Sequence, residues 1–63
     1  MDLLKTSEVA EMTRKPEATL RWYRHQGIGP KSGRLGGRVV YRRADVEAWI
    51  EEQLTATSSG GTT

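Results

Sequence analysis

Residues 13–27 read TRKPEATLRWYRHQG, a short polar turn followed by the signals of a short helix. Pro16 suits the start of a helix, because the amide proton that proline lacks would have no partner there. Gly27 suits the position that follows a helix, where positive φ angles are common. Between these limits Leu20 and Tyr23 lie three residues apart and share one face. The pattern predicts a helix that begins at Pro16, ends before Gly27 and packs through this face.

Upstream, residues 3–12 read LLKTSEVAEM and predict a lead-in followed by a short helix. Thr6 is the candidate N-cap, and Glu8 lies in the first turn, where a carboxylate is favoured. Val9 and Met12 are three residues apart and share a face. Two short helices joined by a tight polar turn are typical of a helix-turn-helix.

Downstream, residues 27–37 contain five Gly and one Pro, too many for a regular helix. The pair Gly36-Gly37 is a common two-residue hairpin turn, and the residues after it are rich in β-prone side chains. We predict a hairpin formed by residues 31–35 and 38–42. Because an isolated hairpin is marginally stable in water, it must pack against the helices.

A third helix is predicted over residues 44–54, where four apolar residues recur at the spacing of a single helix face. These residues are Val46, Trp49, Ile50 and Leu54. Their spacing predicts that Trp49 lies at the centre of the core. Residues 55–63 contain only Thr, Ala, Ser and Gly, so we predict a disordered tail. The predicted fold is mainly α with a small β-hairpin: a winged helix-turn-helix of three helices and a two-stranded wing, in one domain over residues 1–54.

The net charge is only +2, but the charges are unevenly distributed. Residues 1–13 have a net charge of −2, and residues 44–54 have a net charge of −4. Residues 14–43 carry nine Lys and Arg against one Glu, a net charge of +8. Seven of the nine are Arg, whose guanidinium suits bidentate contacts with phosphate and guanine. A run of charges can be a solvated surface, but the near absence of acids from this segment favours a nucleic-acid partner.

The sequence contains no recognisable set of residues for catalysis or metal binding. With no Cys and a single His, His25, it predicts no disulfide and no side-chain zinc site. It has neither a Gly-rich phosphate loop nor a nucleophile elbow. We therefore expect neither an enzyme nor a cofactor. The N-terminal residues contain no long apolar run, so we expect no signal peptide, no membrane span and a soluble cytoplasmic protein.

Binding to double-stranded DNA uses several of these features at once. A short helix fits the major groove, and a basic hairpin can reach the minor groove or the backbone. Arg21 and Arg24 are three residues apart on the helix of residues 16–26, so we expect them to project to one side. Arg14 and Lys15 precede this helix. The free amide protons of its first turn would face a phosphate bound at the same place. The predicted DNA-binding residues are Arg14, Lys15, Glu17, Ala18, Thr19, Arg21, Trp22, Tyr23, Arg24, Arg34 and Arg38.

Three side chains of this helix have more than one interpretation. Trp22 is either a second core residue or an exposed ring that packs on the sugar-phosphate backbone. Tyr23 is more consistent with a core position from which its hydroxyl reaches the surface, since it is in line with Leu20. His25 is a solvated residue near the helix end, or a phosphate contact when protonated.

Three segments carry a family resemblance: LKTSEVA at residues 4–10, TLRWY at residues 19–23 followed by Gly27-Ile28, and GRVVYRRADVEAW at residues 37–49. In this order and spacing, over residues 3–54, they resemble the MerR-type winged helix-turn-helix superfamily. Within it, the chain is most similar to the small excisionases of phages and integrative elements. The resemblance implies that the helix of residues 16–26 enters the major groove and that the hairpin is the wing.

The resemblance also implies backbone or base contacts from Thr19, Arg21 and Tyr23. The sequence departs from the family pattern at Lys15, where a Ser usually caps the second helix. No coiled-coil dimerisation helix follows the third helix, so we do not expect a ligand-sensing activator.

An excisionase, or recombination directionality factor, binds adjacent sites at an attachment region, bends the DNA and helps an integrase to run excision. We expect such a protein in the cytoplasm of a bacterial host, associated with the nucleoid. Cooperative head-to-tail binding on DNA is expected, since each unit makes few phosphate contacts. The acidic third helix, with Glu47, Glu51 and Glu52, is either a surface for a basic neighbour or a solvated face. A transcription regulator of the same fold and an adaptor that has lost DNA binding remain alternatives.

Overall fold

The structure, a computed structural model, describes residues 2–58. Its elements in chain order are β1 (Leu3–Leu4), α1 (Thr6–Thr13), α2 (Glu17–Gln26), β2 (Gly33–Leu35), β3 (Arg38–Arg42) and α3 (Arg43–Ser58). The predicted fold class is confirmed, because three helices pack with a small antiparallel hairpin.

The hairpin is part of a three-stranded sheet, and the sequence pattern does not reveal its third strand, β1. β1 pairs antiparallel with β3 and places Leu4 opposite Tyr41, so β3 is the central strand. A strand of two residues is too short to show the alternation by which strands are recognised. The first predicted strand, residues 31–35, is also shorter than expected, since its pairing with β3 begins at Gly33.

The hairpin turn is the predicted one. Gly36 and Gly37 have φ angles of +58° and +88°. The pairing of Leu35 with Arg38 leaves these two glycines as the loop. Two successive positive φ angles match the twist of the strands and favour glycine. The position of the turn is therefore as predicted.

The core consists of one side chain from β1, one from each helix and one from β3. Each is at most 5% exposed; they are Leu4, Val9, Leu20, Tyr41 and Val46. Tyr41 is the largest of them and is 1% exposed. So small a core stabilises a domain by only about 3–5 kcal/mol, and each of its members matters for folding.

The prediction that Trp49 lies at the centre of the core is wrong. Trp49 is half-buried, and its ring packs against Tyr23 with a centroid distance of 6.0 Å. At about 1.5 Å per residue, α3 is longer than α1 and α2. Only its first turns are covered, so Val46 is buried while Leu54 is exposed.

The starts of α1 and α2 differ by one residue from the prediction. Lys5, not Thr6, is the N-cap of α1, and its amide donates to a Glu8 carboxylate oxygen at 2.8 Å. Pro16 is the N-cap of α2 instead of its first helical residue, with an extended ψ of 151°. Its carbonyl accepts from the amides of Thr19 and Leu20.

The end of α3 also differs from the prediction. The helix continues to Ser58, so residues 55–58 of the predicted tail are helical. In this last segment the Thr57 hydroxyl donates to the Gln53 carbonyl at 2.7 Å. Residues 59–63, the remainder of the predicted tail, lie outside the described part of the chain.

We expect Gly29→Ala to destabilise the fold. Gly29 has a φ of +83°, and a Cβ added there would lie 2.8 Å from Cδ2 of Tyr23. A left-handed φ alone costs an L-residue roughly 1–2 kcal/mol, and the collision with a packed ring adds to this. Urea unfolding monitored by circular dichroism would measure the loss. Gly33→Ala is the control, because a Cβ there meets nothing within 4 Å; equal stability of the two variants would contradict the prediction.

Candidate nucleic-acid interface

One strip of α2 faces outwards. The exposed residues recur at positions i, i+1, i+4, i+5 and i+8, the spacing of a single helix face. They are Glu17, Ala18, Arg21, Trp22 and His25, and Gln26 at the end of the helix is exposed as well. Leu20 holds the opposite face in the core, so the strip cannot turn inwards without unfolding the helix. It contains four of the predicted DNA-binding residues and also His25.

Trp22 belongs to the exposed strip and not to the core. Its side chain is 55% exposed, and its ring contacts the ring of Tyr23 at a centroid distance of 5.9 Å. The interpretation of Trp22 as a core residue is therefore wrong. A large amphipathic ring held at the surface beside Arg21 can pack on a sugar and offer its indole N–H to a phosphate.

Arg21 is exposed and has an acidic neighbour on the same strip. Its guanidinium lies 3.8 Å from the Glu17 carboxylate, with both side chains about half in solvent. A pair of this kind contributes little in water, so a phosphate or a guanine edge can take the place of the carboxylate.

The turn between α1 and α2 holds a cation in a strained conformation. Arg14 is exposed and adopts a left-handed conformation, with φ 58° and ψ 38°. Its amide donates to the Glu11 carbonyl and that of Lys15 to the Ala10 carbonyl, at 3.4 and 3.0 Å. Glycine is the usual residue at this point of such a helix end, whereas an L-residue there costs about 1–2 kcal/mol. Non-glycine residues that retain this strain cluster at functional sites.

Lys15 and Tyr23 pack together beside this turn. Lys15 is half-buried, and its Nζ lies 6.0 Å from the centroid of the Tyr23 ring. Tyr23 is half-buried, in contact with the core and between the rings of Trp22 and Trp49. Thr19 is also half-buried. These three predicted site residues line the boundary between the exposed strip and the core.

Arg24 does not project with Arg21. It is half-buried, and its Nη1 donates to the Tyr41 hydroxyl at 2.7 Å and to the Thr6 hydroxyl at 3.3 Å. Residues three apart on a helix differ by about 60° around its axis. This offset is enough to turn Arg24 towards β3 while Arg21 faces solvent.

The hairpin carries exposed arginines on both of its faces. Arg34 is paired with Val39, and Leu35 with Arg38, so Arg34 and Arg38 lie on opposite faces. Both side chains are exposed. Arg42 is also exposed, on the same face as Arg38 and four residues from it. It was not among the predicted site residues, although the Arg-rich segment and strand alternation together could have identified it.

Other kinds of site are not apparent within residues 2–58. No group of three or more His, Asp or Glu side chains there is arranged to hold a metal ion. Over the same residues, no helix has the length and apolarity needed to cross a bilayer. Arg43, the last of the basic segment, is paired with Asp2 at 2.8 Å and with Glu47 at 4.0 Å.

Comparison with known proteins identifies one family. A family model described as a helix-turn-helix domain matches residues 3–54, which include every helix start, the turn and the hairpin. No curated protein and no solved structure matches the chain significantly.

Proposed function

Because the chain belongs to the helix-turn-helix domain family, we propose that it binds DNA sequence-specifically, with α2 in the major groove and the β2–β3 hairpin as the wing. The exposed strip of α2 is the observation that carries this proposal. α2 has ten residues, and an α-helix, about 10–12 Å in diameter with its side chains, fits a major groove about 12 Å wide. On the strip, Arg21 is the candidate for a bidentate contact with guanine or phosphate, and Trp22 for a contact with the sugar-phosphate backbone.

The turn and the wing supply the remaining contacts of the proposal. Arg14 and Lys15 flank the start of α2, where a phosphate would meet both cations and free amide groups. Arg34 and Arg38 face opposite sides of the hairpin, as is suitable for an element that enters a minor groove and meets both of its walls. Arginine is favoured in narrow minor grooves, because the negative potential is enhanced there.

We further propose that the protein is an excisionase that binds and bends attachment-site DNA for an integrase. The support is the resemblance of residues 3–54 to small excisionases, over the same span that the helix-turn-helix model matches. In this proposal neighbouring copies bind cooperatively, head to tail, in the cytoplasm of a bacterial host. Three exposed acids of α3 are candidates for contact with a basic neighbour or with the integrase: Glu51, Glu52 and Glu47, of which Glu47 also pairs with Arg43.

A salt titration tests DNA binding. Affinity for duplex DNA from the region flanking the gene would be measured by fluorescence anisotropy between 50 and 200 mM salt. Five cations are proposed to face phosphates, so log K is expected to fall against log salt with a slope of about −4 to −5. They are Arg14, Lys15, Arg21, Arg34 and Arg38. Absence of binding, or an affinity that does not depend on salt, would support an adaptor instead.

A reconstituted recombination assay tests the excisionase function. Addition of the protein to its integrase is expected to favour excision, with footprints over adjacent sites in the attachment region. Protection confined to a promoter, without any effect on excision, would identify a transcription regulator of the same fold.

A further inference from the structure

Arg24 connects three elements of the fold. From α2, its Nη1 reaches the Tyr41 hydroxyl on β3 at 2.7 Å and the Thr6 hydroxyl at the start of α1 at 3.3 Å. Its guanidinium carbon also lies 6.0 Å from the centroid of the Tyr41 ring. A hydrogen bond to a charged donor is stronger than one between neutral groups, and the planar guanidinium restricts its direction.

Tyr41 anchors this connection in the core. At 1% exposure it is the largest fully buried side chain of the described residues. It therefore cannot contact DNA while the domain is folded. Its hydroxyl gives Arg24 a partner of fixed position, because the ring is held by the core and the backbone by pairing with β1.

The connection lies between the two proposed DNA-binding elements. Arg24 follows Arg21 by three residues, about 4.5 Å along the axis of α2. Tyr41 follows Arg38 by three residues, about 10 Å along β3. The bond from Arg24 to Tyr41 thus joins α2 to the strand that carries Arg38.

We propose that Arg24 is a positioning residue, which through Tyr41 sets the orientation of α2 relative to the wing and does not itself contact phosphate. This inference rests on the proposed DNA-binding function. The two elements must meet the same duplex at once, so binding requires one relative orientation. If the orientation of α2 relative to the wing is fixed before binding, the protein loses less conformational freedom when the complex forms. Tyr41 then affects affinity for DNA without touching it.

Tyr41→Phe is the decisive variant, because it removes the hydroxyl and keeps the ring in the core. Affinity for duplex DNA would be measured for this variant, for Arg24→Met and for the double variant. We expect each single change to weaken binding about 5- to 20-fold, which lies within the wider range of couplings measured between residues in contact. The double variant is expected to bind no more weakly than the weaker single one, since both changes remove the same bond. If Arg24 instead contacts phosphate, Tyr41→Phe leaves affinity unchanged while Arg24→Met reduces the salt slope by about 0.9; that result would overturn the proposal.

A measurement without DNA separates this inference from the proposed function. Residual dipolar couplings of backbone amides report the angle between α2 and β3, which is expected to change in Tyr41→Phe and in Arg24→Met. Ile50→Val is the control: it weakens the packing around the core from α3 and should alter neither this angle nor the affinity. All variants are compared at a temperature where circular dichroism shows them fully folded. If the wild-type chain binds no DNA, the proposed function fails, and an unchanged angle in Tyr41→Phe would then overturn the positioning role as well.

Discussion

Leu20→Ala is expected to leave the chain largely unfolded at room temperature. Leu20 is 1% exposed and joins α2 to a core of five side chains. Truncation of a buried leucine to alanine costs about 2–5 kcal/mol, which equals most or all of the roughly 3–5 kcal/mol available to so small a domain. Loss of the cooperative thermal transition, followed by circular dichroism, would show the effect.

Leu54→Ala is the matched control for this prediction. The substitution is the same and the residue is again helical, but Leu54 is 57% exposed. Surface substitutions usually change stability by less than about 0.5 kcal/mol. Similar unfolding midpoints for the two variants would mean that the core does not lie where the structure places it.

The local elements of this fold could be predicted because each has a local physical cause. The Gly36-Gly37 turn needs positive φ angles that glycine adopts freely, and its position was predicted. Gly27 closes α2 with a φ of +74° for the same reason. Pro16 marks the start of α2 to within one residue, since its fixed φ suits both the N-cap and the position after it.

The composition of the core could not be predicted in this way, because it depends on how much of each element is covered by its neighbours in the fold. The apolar stripe of α3 is real, yet only Val46 is fully buried on it, since the short helices cover Trp49 only in part and leave Leu54 exposed. Tyr41 becomes the largest buried side chain because β1 pairs beside it. Two residues of strand give no sequence signal for that pairing.

The same distinction between local and non-local causes applies to the candidate site. Helical periodicity and charge identified α2 and placed Arg21 on its surface, and the exposure of Trp22 settled one open alternative. The partner of Arg24 lies 17 residues away on another element. No local pattern distinguishes an arginine that faces solvent from one that reaches back to a tyrosine hydroxyl.

Arg21→Ala is expected to weaken DNA binding about 10- to 100-fold, the loss of roughly 1–3 kcal/mol typical of an arginine that contacts a base. The side chain is exposed, and its ion pair with Glu17 is solvated; the fold should therefore tolerate the change. Fluorescence anisotropy on the footprinted duplex and on a scrambled one would measure the effect. A base contact relaxes specificity between the two duplexes, whereas a phosphate contact weakens both and reduces the salt slope by about 0.9.

Arg43→Ala removes the same charge from the same basic segment and is the control. Arg43 is exposed and paired with Asp2 and Glu47, away from the strip of α2 that carries Arg21. If the affinity for DNA depended only on net charge, both variants would lose the same amount of affinity. At about 0.15 M salt the long-range effect of either cation is weak, because it is screened. A loss for Arg21→Ala several times that for Arg43→Ala is expected, since the proposed complex places α2 in direct contact with the DNA. Equal losses would reject α2 as the element that enters the groove and leave the interface a diffuse basic surface.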